Sequence, residues 1–81
     1  MSAYNRYKFI KRLNRRSLIL IKDKNRYISF ERDINILRYI NFNMNYDYCN
    51  LSYLDKYKIN YIVLDNLDII VEKMLVETFL Y

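Results

Sequence analysis

The chain contains no glycine and no proline. Every change of direction must be made by residues that carry a Cβ atom. Asn and Asp are the natural candidates, because their short side chains bond to nearby backbone and tolerate left-handed geometry. The same absence removes the phosphate-cradling loop and the dinucleotide turn, both of which need glycine for close backbone approach. No linker, repeat or low-complexity tract divides the 81 residues. A single domain spanning residues 1–81 is expected, with a modest core and marginal stability alone.

Average usage would place roughly six Gly and four Pro in this length. Ala3 is the one alanine, while Asn, Ile, Lys, Tyr and Phe supply 42 of the 81 residues. The missing residues need GC-rich codons and the abundant ones take AT-rich codons. This points to a gene under AT pressure, as in organelles, reduced parasites, viruses and cytoplasmic plasmids. The ten tyrosines are therefore weak evidence for base stacking.

The net charge of +5 is unevenly spread. Residues 1–32 hold ten Lys/Arg against two acids, for +8, and residues 33–81 hold four against seven, for −3. A basic end of this kind suits a polyanion or an acidic protein surface. The apolar run 18–21 is far too short to span a membrane. The basic N-terminal end is not followed by an apolar core and cleavage site, so no secretory signal is expected. Cys49 is the one cysteine, which leaves no internal disulfide and no secreted scaffold. A cytoplasmic or organellar setting, not a secreted one, fits these features.

The periodicity predicts an α+β fold with two main helices, at about 5–21 and 60–73, and short strands between and after them. At about 100° per residue, Lys8, Lys11, Arg12, Arg15 and Arg16 fall within an arc of about 140°. Phe9, Ile10, Leu13, Ser17, Leu20 and Ile21 lie opposite, Tyr7 and Leu18 flank the two faces, and Asn5 offers a helix cap. The β-branched end, residues 18–21, also suits an extended strand. Residues 23–25 read as a turn and 26–30 as a short strand. Residues 31–39 fit no single pattern. Residues 40–48 alternate strictly, with Ile40, Phe42, Met44, Tyr46 and Tyr48 on one side, which predicts a half-buried strand. Residues 52–55 resemble a capping box.

In the second predicted helix, Val63, Leu64, Leu67, Ile70, Val71 and Met74 make one apolar face. Asp65, Asp68 and Glu72 make an acidic stripe, and Ile62 and Ile69 form a second ridge that a small domain leaves for a partner. Residues 74–81 read as a closing strand.

Chemistry is sparse. There is no histidine, the commonest general base and metal ligand. One cysteine cannot build a zinc site, and Cys49 has no histidine to activate it, so a buried or idle thiol is expected. Asp65, Asp68 and Glu72 could hold Mg²⁺, but a solvated helix face accounts for them more simply. A non-enzyme without metal, cofactor or small-molecule substrate is expected.

The opening stretch resembles the omega-type small subunit of multisubunit RNA polymerases, the sixth-subunit family of the eukaryotic and archaeal enzymes. Asn5, Arg6 and Tyr7 match that family's polar, basic and aromatic opener. Lys11, Leu13 and the run Arg16, Ser17, Leu18 match the following motif without a gap. Ile62, Val63 and Leu67 fit the frame of the family's second helix, and residues 74–80 its final strand. Asn14 stands where the family has Gly, Asn66 where it has an acid and Lys73 where it has Pro; residues 22–59 are an enlarged middle segment.

The resemblance implies a non-catalytic subunit of a DNA-directed RNA polymerase that latches onto and stabilises the largest subunit during assembly. It further implies partner contacts at Arg6, Tyr7, Lys11, Arg16, Leu18, Ile62 and Ile69. Arg16 offers the most fixed polar contact, through its rigid fork of donors. The alternative is a small ribosomal or other RNA-binding protein that sets Lys8, Lys11, Arg12, Arg15 and Arg16 on phosphates.

Overall fold

The structure, a computed structural model, describes the backbone of residues 2–65 and 68–73 and the side chains of residues 2–47 and 49–65. The elements run α1 (Ala3–Leu13), β1 (Leu18–Asp23), β2 (Arg26–Ile28), α2 (Glu31–Tyr39), α3 (Tyr48–Lys56), β3 (Tyr61–Asp65) and β4 (Asp68–Lys73). The four strands form one mixed sheet in the order β2-β1-β3-β4. β1 pairs in parallel with β3, and each of them pairs antiparallel with an outer strand. The α+β class expected from the sequence holds, but both long helices are corrected.

The first helix stops at Leu13. Asn14 closes it, its backbone N–H donating to the Lys11 carbonyl and its Nδ2 to the Ile10 carbonyl. The cap at the other end is Ser2, not Asn5: the Ser2 Oγ accepts from the Asn5 N–H at 3.1 Å. After the turn at Arg15 and Arg16, residues 18–21 take the extended alternative, as β1.

The predicted helix at 60–73 is instead the strand pair β3 and β4. Its start resembles β1 for a physical reason. Leu18, Ile19, Leu20 and Ile21 lie beside Tyr61, Ile62, Val63 and Leu64 in parallel register. All eight are buried. A strand covered on both faces reads as an unbroken apolar run, and such a short run fits a helical period equally well. The main apolar face and the second ridge, of which the second is expected to meet a partner, are within β3 the two faces of one strand. Ile19, Ile21, Ile62 and Leu64 pack with Tyr7 of α1. Leu18, Leu20, Tyr61 and Val63 pack on the other face with Leu37, Leu51 and Leu54. The side chains of Ile69, Ile70 and Val71, the residues Leu67 and Met74, and the closing strand expected at 74–81 lie outside the described residues.

Residues 40–48 keep the predicted alternation in part. Phe42 is buried, and Ile40, Met44 and Tyr46 are half-buried, with Asn41, Asn43, Asn45 and Asp47 exposed. They do not form a strand. Asn41 ends α2 and Asp47 caps α3, so only residues 42–46 are left to extend. These make a single bridge, Asn45 with Arg26, along the outer edge of β2. The Tyr27 N–H donates to the Met44 carbonyl and the Tyr46 N–H to the Asn25 carbonyl. This covers the exposed edge of a short strand. Residues 26–28 are the strand expected there. Residues 52–55 do not cap a helix but lie inside α3.

Without glycine, four ordinary residues take positive φ among the described residues: Lys24, Glu31, Asn41 and Lys58. Two of them end helices in the same way. The Asn41 and Phe42 N–H groups donate to Arg38 and Leu37, and the Lys58 and Ile59 N–H groups to Asp55 and Leu54. Both are Schellman closures with a non-glycine residue at the left-handed position.

Candidate nucleic-acid interface

α1 lies on the sheet through Tyr7, which is 1% exposed, and half-buried Ile10. One turn along the same face, Lys11 is drawn inward. Its ammonium donates to the Ser17 carbonyl at 2.7 Å and to Asp33 Oδ1 at 2.9 Å. Asp33 is fully buried, and its second carboxylate oxygen accepts from the Ile19 N–H at 3.0 Å. The Ile19 carbonyl accepts from the Ser29 hydroxyl. β2 has already ended at Ile28, so side chains of Asp33 and Ser29 continue the hydrogen bonding of β1 where the neighbouring strand stops. Lys11 neutralises the carboxylate used for this purpose, which removes it from the exposed cationic face.

The other four predicted cations face outward. Lys8, Arg12, Arg15 and Arg16 are all exposed, and among the described residues none is paired with an acid. Lys8 and Arg12 are one turn apart on α1, and Arg15 and Arg16 form the turn that follows Asn14. Tyr7, Lys8, Lys11, Arg12, Arg15 and Glu31 line an open groove of about 250 Å³. Glu31 is the acid at its rim and accepts a hydrogen bond from the Tyr4 hydroxyl. That bond, more than burial, pushes the Tyr4 pKa up. The Tyr4 ring packs edge-on against Phe30 at 5.3 Å, and the Lys8 ammonium sits 5.4 Å from its centroid. Burial, then the facing Asp33 carboxylate, pushes the Tyr7 hydroxyl well above its usual range. It stays protonated as a fixed part of the groove floor.

The partner residues implied by the omega-type resemblance divide sharply. Tyr7, Leu18 and Ile62 are in the chain's own core, and Lys11 is committed to Asp33. Arg6 is only 8% exposed, and among the described residues its Nη1 has no hydrogen-bond partner. Arg16 is exposed. Ile69 lies on β4, and its side chain is outside the described residues.

Elsewhere, of the predicted acidic stripe only Asp65 has a described side chain. Asp65 approaches Lys22 across β1 and β3 at 4.0 Å, and the side chains of Asp68 and Glu72 are outside the described residues. Among the described residues no three His, Cys, Asp or Glu come together around a metal position. Cys49, expected to be buried or idle, is exposed on α3. It lines a cleft of about 320 Å³ with Asn41, Asn43, Asn50, Ser52, Tyr53 and Lys56. Among the described residues no helix is long and apolar enough to cross a membrane.

Asp33 and Glu31 were not legible as site residues, because residues 31–39 show no clear period. The only hint is that they are acids close in sequence to a basic third. No family model, curated protein or solved structure matches the chain.

Proposed function

We propose that the chain is a non-catalytic nucleic-acid-binding domain that holds an RNA phosphate backbone along the outer face of α1 and the turn after it. The observation that supports this is the set Lys8, Arg12, Arg15 and Arg16, four exposed cations with no acid paired to them among the described residues, on one helix and its exit turn. Cations in this state displace the counterions condensed on a phosphate backbone, and the gain does not require a preformed pocket. Such a ligand fits the cytoplasmic or organellar setting that the composition suggests.

The polymerase latch has less geometric support. It draws on Tyr7, Leu18 and Ile62, which the chain uses in its own core, and on a second helix where β3 and β4 lie. Arg16 remains its best contact. The variant R12Q/R15Q/R16Q separates the two readings. Its affinity for RNA should fall on the order of a hundredfold near 0.1 M salt, measured by fluorescence anisotropy. Unchanged RNA affinity, with stoichiometric recovery of a large polymerase subunit by the tagged wild type in nuclease, would favour the latch.

A further inference from the structure

The apolar face predicted opposite the cations does not hold at Phe9, which is 54% exposed on the outer side of α1. By helical geometry its neighbours there are Asn5, Arg12 and Leu13, at four residues before and three and four after, with Lys8 and Arg12 aligned beside it. Leu13 is also exposed, at 67%. Tyr4, the other exposed aromatic on this helix, is committed to Phe30, Lys8 and Glu31. Among the described residues Phe9 makes no ring contact. It is therefore an exposed aromatic face beside cations that pair with no acid among the described residues.

A ligand that satisfies both features must carry regularly spaced negative charge and flat apolar surfaces. A polyphosphate has the first without the second, and a duplex hides its base faces in its own stack. An unpaired strand offers both. We propose that α1 binds single-stranded nucleic acid, with Phe9 stacking on a base while Lys8 and Arg12 hold the flanking phosphates. This rests on the nucleic-acid reading of the same face and adds the state of the strand and the residue that senses it. Stacking on an exposed aromatic tolerates any base, so little sequence preference follows.

The test compares two probes of equal backbone charge: a fluorescent oligouridine dodecamer and an abasic phosphodiester strand of the same length. The wild type should prefer the base-bearing strand by about tenfold or more. F9A and F9L should lose that preference while holding the abasic strand as the wild type does, and F9W should keep it. Circular dichroism confirms that each variant is folded, as the exposure of Phe9 leads one to expect. Equal wild-type affinity for both strands, or equal weakening of both in F9A and F9L, overturns the stacking role and leaves the electrostatic reading in place. Failure of the wild type to bind either strand overturns both.

Discussion

The Lys11 ammonium and the Asp33 carboxylate lie 2.9 Å apart, joining α1 to α2 across the end of β1. Asp33 is fully buried and also holds the Ile19 N–H. Removing one partner of such a pair leaves an uncompensated charge in the interior. Lys11→Met should therefore cost about 3 kcal/mol or more, read from urea unfolding. The salt dependence of RNA binding by the folded fraction should be unchanged, because Lys11 is not one of the free cations. A loss below about 1 kcal/mol would mean the pair is held too weakly to organise this corner.

Lys58 sits at φ 57 where α3 ends, a position most helices give to glycine. The left-handed conformation costs an L-residue roughly 1–2 kcal/mol, and the Lys58 side chain is exposed. Lys58→Gly should raise stability by about 1 kcal/mol after the added entropy of the unfolded chain. Thermal unfolding checks this, and a lower midpoint would contradict it.

Arg6 has a buried Nη1 with no hydrogen-bond partner among the described residues. A buried donor left unsatisfied costs about 1–3 kcal/mol. Arg6→Met keeps the aliphatic stem and removes that group, so the variant should be about 1 kcal/mol more stable. Destabilisation in the same assay would show that the guanidinium is satisfied within the fold.

The Tyr7 hydroxyl has its pKa pushed up, first by burial and then by Asp33. Its folded value therefore lies above the unfolded value of 10.0. The fold favours the protonated form, so this contribution is intact below about pH 10 and is lost as the pH rises further. Denaturant midpoints should fall on going above pH 10, and Tyr7→Phe should flatten the fall. A residual slope should remain, because burial also raises the Tyr61 pKa. An unaltered slope in the variant would contradict the assignment to Tyr7.

The cationic face of α1 was legible because charge on a solvated helix repeats at the helical period, and nothing in the interior competes with it. Lys11 was misread for the same reason. Periodicity places it with Lys8 and Arg12, and only the arrival of Asp33 from α2 turns it inward. The extent of the first helix depended on Asn14, which acts as a stop through bonds to Ile10 and Lys11 that no local pattern announces. β1 and β3 were harder still. Four apolar residues in a row satisfy a helix or a strand, and the choice is made by their pairing with each other across 43 positions, Leu18 with Tyr61. The alternation at 40–47 was real as burial, yet the caps of α2 and α3 consume its ends, so it supports a bridge and not a strand.

The most direct measurement is the salt dependence of RNA binding by the wild-type chain. Four phosphate contacts on a single strand predict a slope of log K against log[salt] of about −3, so a fourfold rise in salt lowers affinity roughly fifty-fold. Each of Lys8, Arg12, Arg15 and Arg16 replaced by Gln should flatten that slope by about 0.7. A slope near zero, or no binding at low salt, would contradict the account of this face as a nucleic-acid interface.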